Sequence, residues 1–189
     1  MKRIALPLLL GMTLGLSACS TPKAQGLPPQ AMTLPKSEQQ AELFWRTQSF
    51  AFLLYQEPQA SQTDQAQPNP PLQILALTLS GQLLFELSFD GQTLHTVQKH
   101  PKLKALPTDY LMRDIWWAAM PLSDVENAIS PLNLAVSDTD NVRTIYPKDT
   151  PGTAKLTATK EADGTLSIQN HDVPYRIVIS NTQEFVISD

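Results

Sequence analysis

The chain has one cysteine, Cys19, and the residues around it give the most specific chemistry in the sequence. It closes the stretch Leu16-Ser17-Ala18-Cys19, which follows Lys2, Arg3 and an apolar run from Ile4 to Leu16. A basic start, a short apolar core and small residues before a cleavage point make a secretory signal. The apolar run is shorter than the ~20 residues that a membrane-spanning helix needs. A thiol here is a nucleophile placed for modification. The other candidates for chemistry are weaker. His95, His100 and His171 have no ligand spacing between any two of them, so they read as surface or structural residues and not as a metal site. No G-x-S-x-G, glycine-rich phosphate loop or H-E-x-x-H occurs. Glu86 sits among apolar neighbours, but strand parity places it on the wet face, which argues against a catalytic carboxylate. The reading is a protein that is not an enzyme, with no cofactor and no metal.

With its cysteine directly after small residues, the leader resembles the lipobox of bacterial lipoproteins. In that family the thiol is coupled to a diacylglyceryl unit, the preceding peptide is cut and the new N-terminus is acylated. The resemblance implies a signal peptide over residues 1–18, then a lipidated N-terminus and flexible tether over 19–36, with Cys19 as lipid anchor. A single domain follows over 37–189. The tether, Ser20 to Lys36, is rich in proline and poor in apolar density, as a solvated linker should be. An aspartate after the cysteine retains enterobacterial lipoproteins in the inner membrane. Ser20 stands there instead, which implies outer-membrane anchoring with the domain facing the periplasm.

Cleavage leaves 171 of the 189 residues and removes Lys2 and Arg3, taking the net charge from −4 to −6. A surface of that sign is a poor partner for nucleic acid, and on average it gains nothing from anionic lipid heads. Attachment must come from the acyl chains, at ~0.8 kcal/mol per buried methylene. Once Cys19 is modified no thiol remains for a disulfide, so stability rests on packing.

Ser37 to Phe44 reads as a short leading helix, since Ser37-Glu38-Gln39-Gln40 looks like a capped start. Trp45 to Gln56 reads as a first strand with Phe50, Phe52 and Leu54 on one face. Residues 57–71 carry prolines and glutamines with little to bury, and read as a long mobile loop. Leu72 to Val97 is the clearest β segment. Leu75, Leu77 and Leu79 are expected to share one face, and Ser80-Gly81-Gln82 turns the chain. Leu83, Phe85, Leu87 and Phe89 then alternate with Glu86 and Ser88. Asp90-Gly91 signals a hairpin leading to Thr93–Lys99.

The period changes over Thr108 to Ile129. Leu111, Met112, Ile115, Trp116 and Ala119 fall at helical spacing, with Thr108 or Asp109 as cap. Pro121 breaks that helix. Ser123 and Glu126 form a capping box for a second helix with Val125 and Ile129 on its inner face, ended by Pro131. Short strands follow at Leu134–Val136, Val142–Tyr146, Ala154–Lys160, Thr165–Gln169, Tyr175–Ser180 and Phe185–Ile187. Strands, helices, then strands make an α+β domain on an antiparallel sheet. Neighbouring positions on a helix differ by about 100°, so one of Trp116 and Trp117 is expected at a rim or lid edge. Two arrangements suit this pattern, an ordinary closed core or a groove between helix and sheet open to an apolar ligand.

The order of these elements resembles the LolB family of outer-membrane lipoprotein receptors. The residues carrying it are a tryptophan-led first strand, the leucine-rich meander, the stretch Met120-Pro121-Leu122-Ser123-Asp124-Val125-Glu126-Asn127-Ala128-Ile129, and the closing Tyr175-Arg176-Ile177-Val178-Ile179. The likeness spans about Phe44 to Asp189 and is nearest to the LolB-like lipoproteins of aryl polyene biosynthesis gene clusters. It implies an incomplete antiparallel β-barrel, LolA/LolB-like, covered by short helices. It also implies an apolar lipid or acylated ligand, with a role in aryl polyene export and a soluble LolA-like carrier as partner. Groove candidates are then Phe52, Leu77, Phe85, Leu87, Trp116, Trp117 and Ile177. The family receptor releases cargo through a protruding loop tipped by an exposed leucine. Here the matching hairpin, Ser80-Gly81-Gln82, is short and polar at its tip, which favours a lipid- or pigment-handling specialist over a general lipoprotein receptor. The competing class is a structural or protein-interaction envelope lipoprotein with a solid core.

The anchor is directly testable. Cys19→Ser should abolish acylation and lipoprotein-type cleavage, because a hydroxyl does not replace the thiol in that chemistry. Incorporation of labelled palmitate by the variant in cells would refute it.

Overall fold

The computed structural model describes residues 24–27, 38–58 and 72–180. The expected signal peptide, Cys19, most of the tether, residues 59–71 and the expected strand Phe185–Ile187 lie outside the described residues. In chain order the elements are β1 (Glu38–Trp45), β2 (Gln48–Pro58), β3 (Leu72–Thr78), β4 (Leu83–Phe89), β5 (Leu94–Lys99), α1 (Thr108–Ala119), α2 (Leu122–Ile129), β6 (Leu134–Thr139), β7 (Val142–Pro147), β8 (Leu156–Lys160), β9 (Leu166–Asn170) and β10 (Tyr175–Ser180).

The ten strands among the described residues belong to one sheet, in the order β5-β4-β3-β2-β1-β10-β9-β8-β7-β6. Each neighbouring pair is antiparallel. Two five-stranded meanders are thus joined where β1 meets β10, and the sheet stays open between its edges β5 and β6. The helices occupy the connection between those edges. This is an α+β fold on an open antiparallel sheet, with the core on the face that α1 covers.

The expected leading helix is a strand. Glu38–Trp45 pairs with β2 on one side and β10 on the other, and this pairing prevails over the weak capping signal. Ala41, Leu43 and Trp45 alternate inward on it. The β1–β2 hairpin turns on Arg46-Thr47, with Trp45 opposite Gln48 and Arg46 at φ 56°. No glycine or asparagine announces that turn, which is why Trp45 looked like the start of a strand. Strand β2 runs on to Pro58, so residues 57 and 58 are paired with β3 and not part of a loop.

The inward face of β3 is Ile74 and Ala76, both fully buried, and not the face of Leu75, Leu77 and Leu79. Leu75 and Leu77 are half-buried on the outer face, and Leu79 sits in the turn, 61% exposed. Both faces of β3 are apolar, so parity alone could not choose between them. On β4, Phe85, Leu87 and Phe89 point inward as expected while Glu86 and Ser88 are half-buried. Leu83 does not follow them. A register shift makes Leu84 an extra residue, so Leu83 pairs with outer-face Leu77 while Leu84 is buried.

Helix α1 has the expected bounds but a different cap. Pro107 precedes it without a side-chain cap, and Thr108 is buried beside Thr96. The expected box on α2 does not form either; that helix begins at Leu122 after Pro121, two residues earlier than a Ser123 cap would set it, while Val125 and Ile129 are buried as expected. Pro131 does not stop the chain from turning once more, since residues 130–132 form a 3-10 turn before Asn133 takes φ 56°.

Phe85 is 1% exposed, its ring edge-on to Phe52 at 6.2 Å. Phe85→Ala should therefore destabilise by ~3–5 kcal/mol, as for a closed aromatic site. Glu86→Ala, on the other face, should cost less than about 1 kcal/mol. Similar small shifts in denaturant midpoint for the two variants would contradict this packing.

Candidate functional site

Two polar ties fix α1 on the sheet. Asp114 lies on the inward side of α1 and is fully buried. Its Oδ1 accepts from Arg113 Nε at 2.9 Å and Nη2 at 2.7 Å; its Oδ2 accepts from Asn170 Nδ2 at 2.5 Å and from the Tyr175 hydroxyl. Asn170 Oδ1 in turn accepts the backbone N–H groups of Asp172 and Val173, so the β9–β10 hairpin is built around the same group. Burial raises the Asp114 carboxyl above its usual range, against the pull of Arg113, Tyr175 and Asn170. Burial and the neighbouring carboxylate together push the Tyr175 phenol well above its ordinary value. Both carboxylate oxygens of Asp114 are spent on the tie.

The second tie is Arg143 on β7. Its Nη1 donates to the carbonyls of Trp117 at 2.8 Å and Met120 at 2.6 Å, at the end of α1, where helical carbonyls lack partners. Nε and Nη2 form a fork on Asp138 at 2.8 and 2.7 Å, and that hydrogen bonding holds the Asp138 carboxyl below its usual range.

Between these ties α1 and the sheet separate. The C-terminal half of α1 roofs a cleft of about 450 Å³, within the size class of small-molecule sites. Ile115, Ala118, Ala119 and Met120 come from the helix side; Val142, Ala158, Leu166 and Ile179 come from β7, β8, β9 and β10. Its polar lining is Gln39, Asp140, Asn141, Lys160 and Ser180, together with the Arg143–Asp138 pair of the second tie. Gln39 Oε1 is buried with no hydrogen-bond donor among the described residues. The arrangement suits an apolar chain carrying a polar head.

None of the seven expected groove residues lines this cleft. Phe52, Phe85, Leu87, Trp116, Trp117 and Ile177 are sealed in the core, and Leu77 is half-buried on the outer face of the sheet. The two tryptophans are 1% and 2% exposed, so neither is at a rim. Trp116 packs on Phe89 at 5.1 Å, toward the sheet. Trp117 turns away from the sheet and is covered by chain that reads as free tether in the sequence. Its Nε1 donates to the Gly26 carbonyl at 2.7 Å, and Arg113 stacks on its ring at 4.1 Å. Ala24 N donates to Asp109 at 2.9 Å. Gly26 has φ +72°, and a Cβ there would stand 2.7 Å from the Trp117 ring and 2.8 Å from Leu132, so only glycine suits this strap.

The signals that would have found the cleft are small. Ala118-Ala119, directly after two tryptophans, leaves empty volume where the helix ends. Asp114, an acid between Met112 and Ile115, breaks the apolar stripe and so calls for buried donors. The histidines have local roles: His95 meets Asp90 at 3.2 Å, His100 accepts from Lys102 N at 3.3 Å, and His171 meets Thr157 at 3.0 Å.

A family model described as "Protein of unknown function (DUF3261)" matches residues 36–183. No curated protein and no solved structure matches the chain.

The Asp114 tie makes two predictions. Tyr175→Phe removes one donor from a buried carboxylate and should cost about 1–3 kcal/mol while leaving the cleft unchanged. Because the folded state raises the Asp114 carboxyl, its stability contribution is complete below about pH 4 and is lost as pH rises through the folded value. Urea midpoints of the native protein should thus fall with rising pH relative to those of Asp114→Asn. Parallel curves would refute the raised carboxyl.

Proposed function

The chain belongs to the DUF3261 family, and we propose that it is an outer-membrane lipoprotein with a LolA/LolB-like half-barrel that binds or transfers an apolar lipid or acylated ligand. The observation carrying this reading is the cleft under the end of α1, with its apolar walls, polar rim and unpartnered Gln39 acceptor. An acyl or polyene chain would lie against Ile115, Ala118 and Leu166, with its head at the rim near Lys160. The domain faces the periplasm, held by acyl chains on Cys19, and exchanges cargo with a soluble LolA-like carrier in aryl polyene export. No nucleic acid is a partner.

The likeness to the lipoprotein receptor gains a residue from the structure. The β3–β4 turn presents Leu79, 61% exposed, and is closed by Gly81 N–H on the Thr78 carbonyl at 2.8 Å. The turn is short, yet its exposed side chain is a leucine, which supports delivery of cargo to a membrane by the receptor's route.

The second reading, a structural or protein-interaction lipoprotein with a solid core, draws on the sealing of Trp116, Trp117 and Phe85 and on the two ties that hold α1 down.

Native mass spectrometry of protein extracted from its own membrane should show a retained apolar ligand. Ala158→Phe fills the cleft and should weaken long-chain fatty-acid binding by about tenfold or more. A folded native protein that carries no ligand and binds no fatty acid would leave the structural reading standing.

A further inference from the structure

We propose that the cleft takes one unbranched apolar chain at a time, laid across the strands from β7 toward β1 with its polar head at Lys160, and that it rejects two-chained lipids. The inference rests on the ligand-binding reading above and deepens it by naming the class of ligand.

The register shows that the floor of the cleft is a row. Ile179 on β10 pairs with Leu166 on β9, and Leu166 pairs with Lys160 on β8. Lys160 N donates to the Asn141 carbonyl at 2.9 Å, which carries the row to the β6–β7 turn. In the other direction Ile179 pairs with Ala41 on β1, two positions from Gln39 and on the same face. Gln39, Ile179, Leu166, Lys160 and Asn141 all line the cleft. It is therefore a trough that crosses the strands, a shape that an extended chain fills along its whole length.

The width of that trough sets the number of chains. From β7 to β1 the lining crosses four strand spacings of about 4.8 Å, or about 19 Å in all. Spread over that length, a volume of about 450 Å³ leaves a bore roughly 5 Å across. Carbon atoms in contact stand about 3.5–4.0 Å apart, so one file of methylenes fills this bore, whereas two abreast need about 8 Å. The roof resists widening. Arg143 holds the Trp117 and Met120 carbonyls at 2.8 and 2.6 Å, and Asn170 holds Asp114 at 2.5 Å, so a second chain would have to break hydrogen bonds at both ties.

The polar groups set the direction. Asp140, Asn141 and Lys160 are exposed together at the β7 end. Arg143 is close by, but Nε and Nη2 are spent on Asp138 and Nη1 on the end of α1. Lys160 is thus the cation left to meet an anionic group, and its exposure lets that group keep its water while the chain is buried. Beyond Lys160 the floor is Leu166 and Ile179, under Ile115 and Ala118, so the tail points toward β1.

Two lipids that share a head and differ by one chain test the claim. The mature lipoprotein, held in amphipol, is offered palmitoyl-lysophosphatidylethanolamine and dipalmitoyl-phosphatidylethanolamine, and bound molecules are counted by native mass spectrometry. The one-chained lipid should bind once per protein and about tenfold or more tightly than the two-chained one. Gln39→Trp fills the β1 end of the trough and leaves Lys160 untouched. It should weaken palmitate by about tenfold or more and leave decanoate within about twofold, with far-ultraviolet circular dichroism unchanged. Equal binding of the two lipids to the native protein overturns the single chain. Equal loss of palmitate and decanoate in Gln39→Trp, or loss of neither, overturns its direction across the strands. The cleft reading survives both results. A folded native protein that binds none of the four molecules overturns the cleft reading as well, which keeps the two claims apart.

Discussion

A carboxylate removed from water must be met by donors wherever it docks, and Asp114 imposes that constraint on this fold. Four donated hydrogen bonds converge on it from α1 itself, from Asn170 and from Tyr175. Losing a partner of such a group leaves a buried charge short of donors, which costs far more than an average hydrogen bond contributes. The tie therefore sets where α1 crosses the sheet. It lies on β9 and β10, and β10 is the strand paired with β1, so it sits beside the junction at which the two meanders become one sheet.

With α1 held there and its last carbonyls held by Arg143, the room beneath Ala118 and Ala119 follows from side-chain size. Trp116 and Trp117 fill the space on both sides of the helix; the alanines after them cannot. The polar ties and the cleft are thus parts of one arrangement. A helix fixed at two points, with small residues between its lower face and the sheet, leaves a cavity that neither the core nor solvent exchange closes.

Much of the architecture was legible in the residues. The bounds of α1, the β4 alternation from Phe85 to Phe89 but not Leu83, the Asp90-Gly91 hairpin, and β10 followed from periodicity and turn chemistry. The misreadings have specific causes. Glu38–Trp45 is polar at its start and resembles a helix cap, but its partners β2 and β10 make it the central strand of the sheet. The Arg46-Thr47 turn has none of the usual turn residues. Leucines on both faces of β3 hid the inward one.

What the sequence by itself determined is therefore local: the periods of most elements, the charge balance, and the class of fold. Those depend on neighbouring residues and on side-chain chemistry. Only the tertiary structure decided which faces are sealed, because burial depends on what arrives from elsewhere in the chain. Trp117 is buried because Gly26, 91 positions away, lies over it. Asp114 is satisfied because Tyr175, 61 positions away, reaches it. The cleft exists because helix and sheet are held apart at residues that no local pattern relates.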